Sequence, residues 1–402
     1  MPQVSTIFSR WGFGFAAAAT TLLMVAASAP SPFYPEFARQ LGLLPVATTL
    51  IFAIYAFTML TALLLTGALS DTVGRRPLIS AGALLLALSI LIFWQSGDLT
   101  MLLFARAFQG IAAGVLLPAL SAMVIDFAHP RRAEAASLWN TISAMIGLGI
   151  GAITAAIALD LFANATDVVF GSLTITFVLI SALVWTTPEK LRPVRTRIRH
   201  LLSKPAVPDH LRLPFLVAVP AVIAGWATNG MFLALGSSVV KEVFDATTHA
   251  QQSLAIPVFA ISGIAASVLL HRKAARLVSV YGTSALSLGT ALSVVALLSH
   301  SLPTYLISVA IIGTGFGTAF MGVLKSLMSR IDPDERASVM AVIYTVSYLA
   351  FGVPTLIAGV LIPVLSLHTT AIILGVVIAL LGAIAAVWRA RIRDRSRADA
   401  VE

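Results

Sequence analysis

Arg106 lies inside a long apolar run, with Gln109 three residues on and Gly110 and Gly114 beyond it. A charge held in such a segment is costly, and its usual work is pairing, binding or proton movement. At helical spacing Gln109 shares the face of Arg106, so the two can form one buried polar unit. Gly110 and Gly114 make a small-x-x-x-small pair suited to close helix approach. A second cluster reads Gly67-Ala-Leu69-Ser-Asp71-Thr-Val-Gly74-Arg75-Arg76. Asp71 can accept hydrogen bonds from the positive end of a neighbouring helix, and Gly74 allows a tight turn. Arg75 can pair with Asp126. Glu36 follows the break Pro30-Ser-Pro32-Phe33-Tyr34-Pro35. Glu36 and Asp126 are the candidate acids for any proton transfer, because a carrier needs a pKa that burial or a charged neighbour can move.

Other chemistry is absent from the residue pattern. The chain has no Cys, which excludes disulfides, thiolate metal sites and Cys nucleophiles. There is no H-E-x-x-H helix and no G-x-x-x-x-G-K-[ST] loop, and none of the seven His falls deep in an apolar run. The expectation is a protein that is not an enzyme and holds no cofactor or metal.

These residues must be positioned by apolar elements. Hydrophobic residues make up 58% of the 402 and charged residues only 11%. So few charges cannot cover a water-soluble protein of this size. Crossing the hydrocarbon layer takes about 20 apolar residues. Stretches of that kind run over 11–33, 46–69, 77–95, 101–125, 138–159, 168–187, 213–237, 250–270, 277–298, 303–324, 337–363 and 368–388. They are continuous and rich in Ala, Leu and Gly, which excludes alternating barrel strands. The fold class is therefore an all-α membrane protein of about twelve transmembrane helices. Arg10, the first run and Ala27-Ser28-Ala29 also imitate a secretory signal, but the run is long enough to span and its removal would leave an odd number of spans.

With both termini in the cytoplasm, all but three of the 26 basic residues fall on inward loops or the tail. The exceptions are Arg39, Lys241 and Arg106. The net charge of +9 is thus a topology signal and not a nucleic-acid patch. A polar, basic, Pro-containing segment at 188–212 divides a six-helix set at 1–187 from a second at 213–388, with a basic tail at 389–402. The halves echo each other at an offset of 203: Gly110 and Gly114 match Gly313 and Gly317, Pro130 matches Pro333, and Gly149 matches Gly352. Internal repeats of this kind mark secondary transporters, with the substrate site between the repeats.

The 67–76 stretch is similar to the loop signature G-x-L-x-D-x-x-G-R-R of the major facilitator superfamily. Arg106-Ala-Phe-Gln109-Gly110 is similar to that family's fourth-helix pattern R-x-x-Q-G. With twelve spans and a central loop, the chain resembles this family throughout, and its drug/proton antiporter branch most closely. The resemblance implies two six-helix bundles and alternating access. It implies an inner latch of Gly67, Asp71, Gly74, Arg75, Arg76 and Asp126, with Asp71 meeting the eleventh helix, and a role for Arg106 in proton coupling. The second half departs from the pattern, with Ser279, Thr283 and Ser284 where Asp71 and the two Arg would stand. The fifth span has Gly147, Gly149 and Gly151 but lacks the antiporter branch's Pro, and reads as a packing face.

Polar and aromatic residues able to line a central cavity are Tyr55, Gln109, Asn140, Ser143, Trp226, Asn229, Tyr344 and Tyr348. Without a central acid, neutral, amphipathic or anionic substrates are expected over polycations. The function expected is proton-coupled efflux of small amphipathic molecules across the inner membrane by a functional monomer, with protons, a small molecule and the bilayer as its partners. Uptake of a small nutrient or metallophore is the alternative within the class, and a channel or scramblase the alternative outside it.

Overall fold

In hydrocarbon no water is available to backbone N–H and C=O groups, so each long apolar run satisfies them internally as a helix. The structure, a computed structural model, describes residues 6–66, 69–128, 133–189, 205–328, 330–332 and 335–391. Its twelve membrane-length helices are α1 Arg10–Leu41, α2 Pro45–Thr66, α3 Arg75–Trp94, α4 Leu99–Phe127, α5 Leu138–Leu161 and α6 Asp167–Thr186, then α7 Asp209–Phe244, α8 His249–Leu270, α9 Ala275–Leu298, α10 Leu302–Met328, α11 Arg336–Leu365 and α12 Leu367–Arg391. No strand occurs among the described residues. Gly67, most of the 188–212 segment and the tail beyond 391 lie outside the described residues, as does the side chain of Asp71.

Local chemistry sets several helix starts. Asp98 caps α4 by accepting from the Met101 amide at 2.8 Å. Gly74, with φ of +102°, precedes α3 in a backbone conformation that disfavours any side chain. In α1 the proline cluster replaces α-helix with a short 3₁₀ turn at Ser31–Phe33, after which the helix resumes at Tyr34.

The helices pack mainly within the two sets of six. α4 lies against α1, α2 and α3, and α10 against α8 and α9. Two seams join the sets: α2 along α11, and α5 along α8. Glycines set the closest approaches. A Cβ on Gly110 would meet the Tyr55 carbonyl and the Thr58 hydroxyl, and one on Gly114 would stand 2.6 Å from the Met59 carbonyl. Their counterparts Gly313 and Gly317 press α10 onto α8 in the same way, at Phe259, Ser262 and Gly263. Gly147 and Gly151 press α5 onto α1 at Thr21, Val25 and Ser28. The outer surface carries Leu65, Phe104, Ile175, Leu269, Leu288 and Val364, all more than half exposed. In water such a surface would aggregate, and in a bilayer it is solvated by lipid.

Candidate functional site

The bundle has two faces: the terminal face, where α1 begins and α12 ends, and the distal face opposite it. Between the two six-helix sets lies a cavity of about 360 Å³. Its walls come from α1 (Met24, Ala27), α2 (Phe52, Tyr55, Met59), α5, α7 (Trp226, Asn229, Leu233), α10 and α11 (Tyr348, Phe351). It reaches the terminal face between Leu138 at the start of α5 and His271 and Lys325 at the ends of α8 and α10. Lining residues on α10 follow a helical stripe: Phe316, Gly317, Phe320, Met321, Leu324 and Lys325. Trp226 is the aromatic hub. Its ring centroid lies 5.1 Å from Tyr348, 5.8 Å from Phe320, 6.0 Å from Phe351 and 6.2 Å from Phe316.

Of the residues expected in the cavity, Tyr55, Trp226, Asn229 and Tyr348 line it. Four others do not. Gln109 is turned to Arg106 and to the Ala26 carbonyl, to which it donates at 2.8 Å. Asn140 and Ser143 sit off the Leu138, Thr141, Ala144, Met145 and Leu148 stripe that α5 presents, and Asn140 instead donates to the Ser121 carbonyl at 3.3 Å. Tyr344, one turn before Tyr348, packs against the apolar core.

Arg106 is fully buried behind the cavity wall. Its guanidinium donates to Gln109 Oε1 and to the Tyr34 hydroxyl, and lies 5.3 to 5.4 Å from the ring centroids of Tyr34, Tyr55 and Phe93. The 3₁₀ turn in α1 brings Tyr34 under this charge, and Ser89 Oγ, donating at 2.7 Å to the Ala105 carbonyl, ties α3 to α4 beside it. The aromatic faces attract the cation. No carboxylate neutralises it among the described residues, and its Nε has no acceptor. Such an arrangement weakens the fold more than an apolar side chain would.

The loop cluster is arranged around two carboxylates. Arg75 Nε donates to Asp126 Oδ2 at 2.9 Å. Glu189, which the sequence pattern did not single out, accepts from the Arg75 amide at 3.4 Å and the Arg76 amide at 3.1 Å, and so caps α3. Arg75 and Asp126 belong to the same half, so their bond holds the loop to α4 and does not itself cross the seam. Glu36 is bonded to Arg39 at 2.6 Å and to Gln40 at 2.6 Å. Neither Glu36 nor Asp126 lines the cavity.

The distal face is tied across the halves by Asp160, another residue missed in the sequence. Its Oδ1 accepts from the His249 amide at 2.9 Å and lies 2.8 Å from His249 Nδ1, while Oδ2 accepts from the Ala250 amide at 2.8 Å. A carboxylate at the end of α5 thus binds the amides that open α8. The partners are 89 and 90 residues apart, and only the fold brings them together.

A twelve-helix bundle with a cavity at its central seam, accessible from one face and tied shut at the other, is the architecture of a membrane transporter. The family model of the Major Facilitator Superfamily matches residues 16–355, and the chain belongs to that family. It is similar to the multidrug resistance protein MdtL of Shewanella oneidensis, 34% identical over 113 residues, which are 28% of each chain. It is also similar to the puromycin resistance protein pur8 of Streptomyces alboniger, 30% identical over 146 residues, 35% of this chain and 29% of that one. The matched segments thus span under a third of these relatives. Among solved structures, a bacterial homolog of the human lysosomal transporter Spinster, in an inward-facing and unoccupied conformation, superposes with a TM-score of 0.73 at 13% identity, over 95% of this chain and 96% of that one. It shares the fold.

Proposed function

We propose that the protein is an alternating-access exporter that moves small amphipathic molecules out of the cytoplasm in exchange for protons, working as a monomer in the inner membrane with both termini inside. The observation that carries this reading is the cavity at the seam, open at the basic terminal face and tied at the distal face. With the cations inside, that is an inward-facing state ready to load from the cytoplasm. The partial likeness to proteins named for multidrug and puromycin resistance favours export over uptake.

In this reading Asp160 with His249 and Ala250 is the outer tie. Gly67, Asp71, Gly74, Arg75, Arg76 and Asp126 form the inner one, with Asp71 reaching the start of α11 when the halves rock and Glu189 and Asp126 holding the loop in place. Arg106 couples the proton: a permanent buried cation touching Tyr34 on α1 and Tyr55 on α2 raises or lowers the cost of any second charge entering the cavity. Glu36 and Asp126 are the acids that would take the proton.

The test is accumulation of a fluorescent amphipathic dye in cells lacking their own exporters. Expression lowers accumulation, and a protonophore restores it. Accumulation that rises on expression would overturn export in favour of uptake.

A further inference from the structure

The cavity has one cation at its mouth and another behind its wall. No Asp or Glu stands among its described lining residues. Lys325 enters it at the terminal face with no acidic partner among the described residues, and its ammonium donates to the His271 carbonyl. An ammonium has three donors, so two remain for a ligand. His271 does not compensate this charge: its Nδ1 is engaged with the Val268 carbonyl at 2.7 Å. At the other end, Arg106 lies 5.4 Å from the ring centroid of Tyr55, itself a wall residue.

Between the two charges stand donors awaiting acceptors. The Trp226 indole N–H is buried with no partner among the described residues. Asn229, Tyr55 and Tyr348 bring further side-chain donors to the same wall. Leaving a buried donor unmade costs about 1–3 kcal/mol, which a ligand acceptor would recover. The aromatic cage around Trp226 could by itself hold a cation through its ring faces. Lys325 in the same volume, unneutralised, opposes that.

We propose that the cavity selects amphipathic organic monoanions, with a flat apolar body held at Trp226, Tyr348 and Phe351 and an acid group drawn to Lys325. Phe320 packs edge-on against Trp226, and Lys325 is five residues further along α10, about 7.5 Å of helical rise. A fused aromatic ring with a carboxylate on a short chain spans that separation. Lys325 is thereby the residue that sets charge preference. This rests on reading the cavity as the substrate site.

The experiment is calorimetric titration of the purified full chain in detergent with three probes of one shape: 2-naphthylacetate, 2-(2-naphthyl)ethanol and 2-(2-naphthyl)ethylammonium. The acid should bind at least about tenfold more tightly than the amine, the step that one hydrogen bond to a charged group supplies. Lys325→Gln should erase that preference, with an unchanged unfolding temperature in detergent showing that the variant is folded, and Lys325→Arg should keep it. An amine that binds as tightly as the acid, a preference that survives in Lys325→Gln, or no binding of any probe would each overturn the proposal. Binding is read with no pH gradient, so a failure of proton-driven export leaves the result interpretable, and gradient-driven export that ignores probe charge would overturn the selectivity alone.

Discussion

Removing the distal tie should open the cavity to the other side of the membrane. Asp160→Ala deletes a carboxylate that accepts two amide hydrogen bonds and contacts the His249 ring, all at 2.8 to 2.9 Å. The Asp160 side chain is 24% exposed and that of His249 35%, so part of the interaction is screened by water. A helix cap is worth about 1 kcal/mol and a charge at a helix N-terminus about 0.3–1 kcal/mol. The ring contact adds to these, and about 2 kcal/mol of bias toward the distally closed state is a fair total, which is roughly 30-fold in population. The absence of Cys makes the readout simple. With a single cysteine at Leu233, a cavity position on α7, a membrane-impermeant maleimide applied to the distal side should react faster by roughly that factor when Asp160→Ala is present. Labelling from the terminal side should slow or hold. An unchanged distal rate would refute the idea that Asp160 holds the halves together there.

Other substitutions separate packing from mechanism. Arg106→Met removes a buried cation that has no acid partner, so thermal stability should change little, while gradient-driven transport should fall more than about tenfold; a variant that transports normally would leave Arg106 a structural residue. Gly110→Ala forces a Cβ against the Tyr55 carbonyl and the Thr58 hydroxyl. It should cost about 1–3 kcal/mol, seen as a lower unfolding temperature in detergent, and an unchanged midpoint would contradict the packing. Asp71→Asn should express normally and transport more slowly, and wild-type turnover would remove Asp71 from the inner tie.

The twelve spans were readable because apolar length alone forces a helix in lipid, and the charge bias of the loops checks the count. Arg106 was readable for the same reason: a lone charge in such a run has few explanations. Side-chain facing was less so. On α5 the stripe of Leu138, Thr141, Ala144, Met145 and Leu148 turns inward, and Asn140 and Ser143 were expected there by polarity when helical phase places them elsewhere. By apolar length Lys325 reads as a loop cation, since the tenth apolar run ends at 324, whereas α10 continues to Met328 and carries Lys325 into the cavity mouth. Its phase with Phe316, Phe320 and Met321 was the available signal. Asp160 and Glu189 could not be found this way, since each acts on backbone amides of a distant segment, and amides carry no mark in a sequence.

Transport in proteoliposomes under an imposed pH gradient decides between a coupled exporter and a passive path. With 2-naphthylacetate inside and an acidic exterior on the distal side, the account predicts saturable, gradient-dependent loss of the probe that a protonophore abolishes and Arg106→Met lacks. Flux that rises without saturation and ignores the gradient would contradict it.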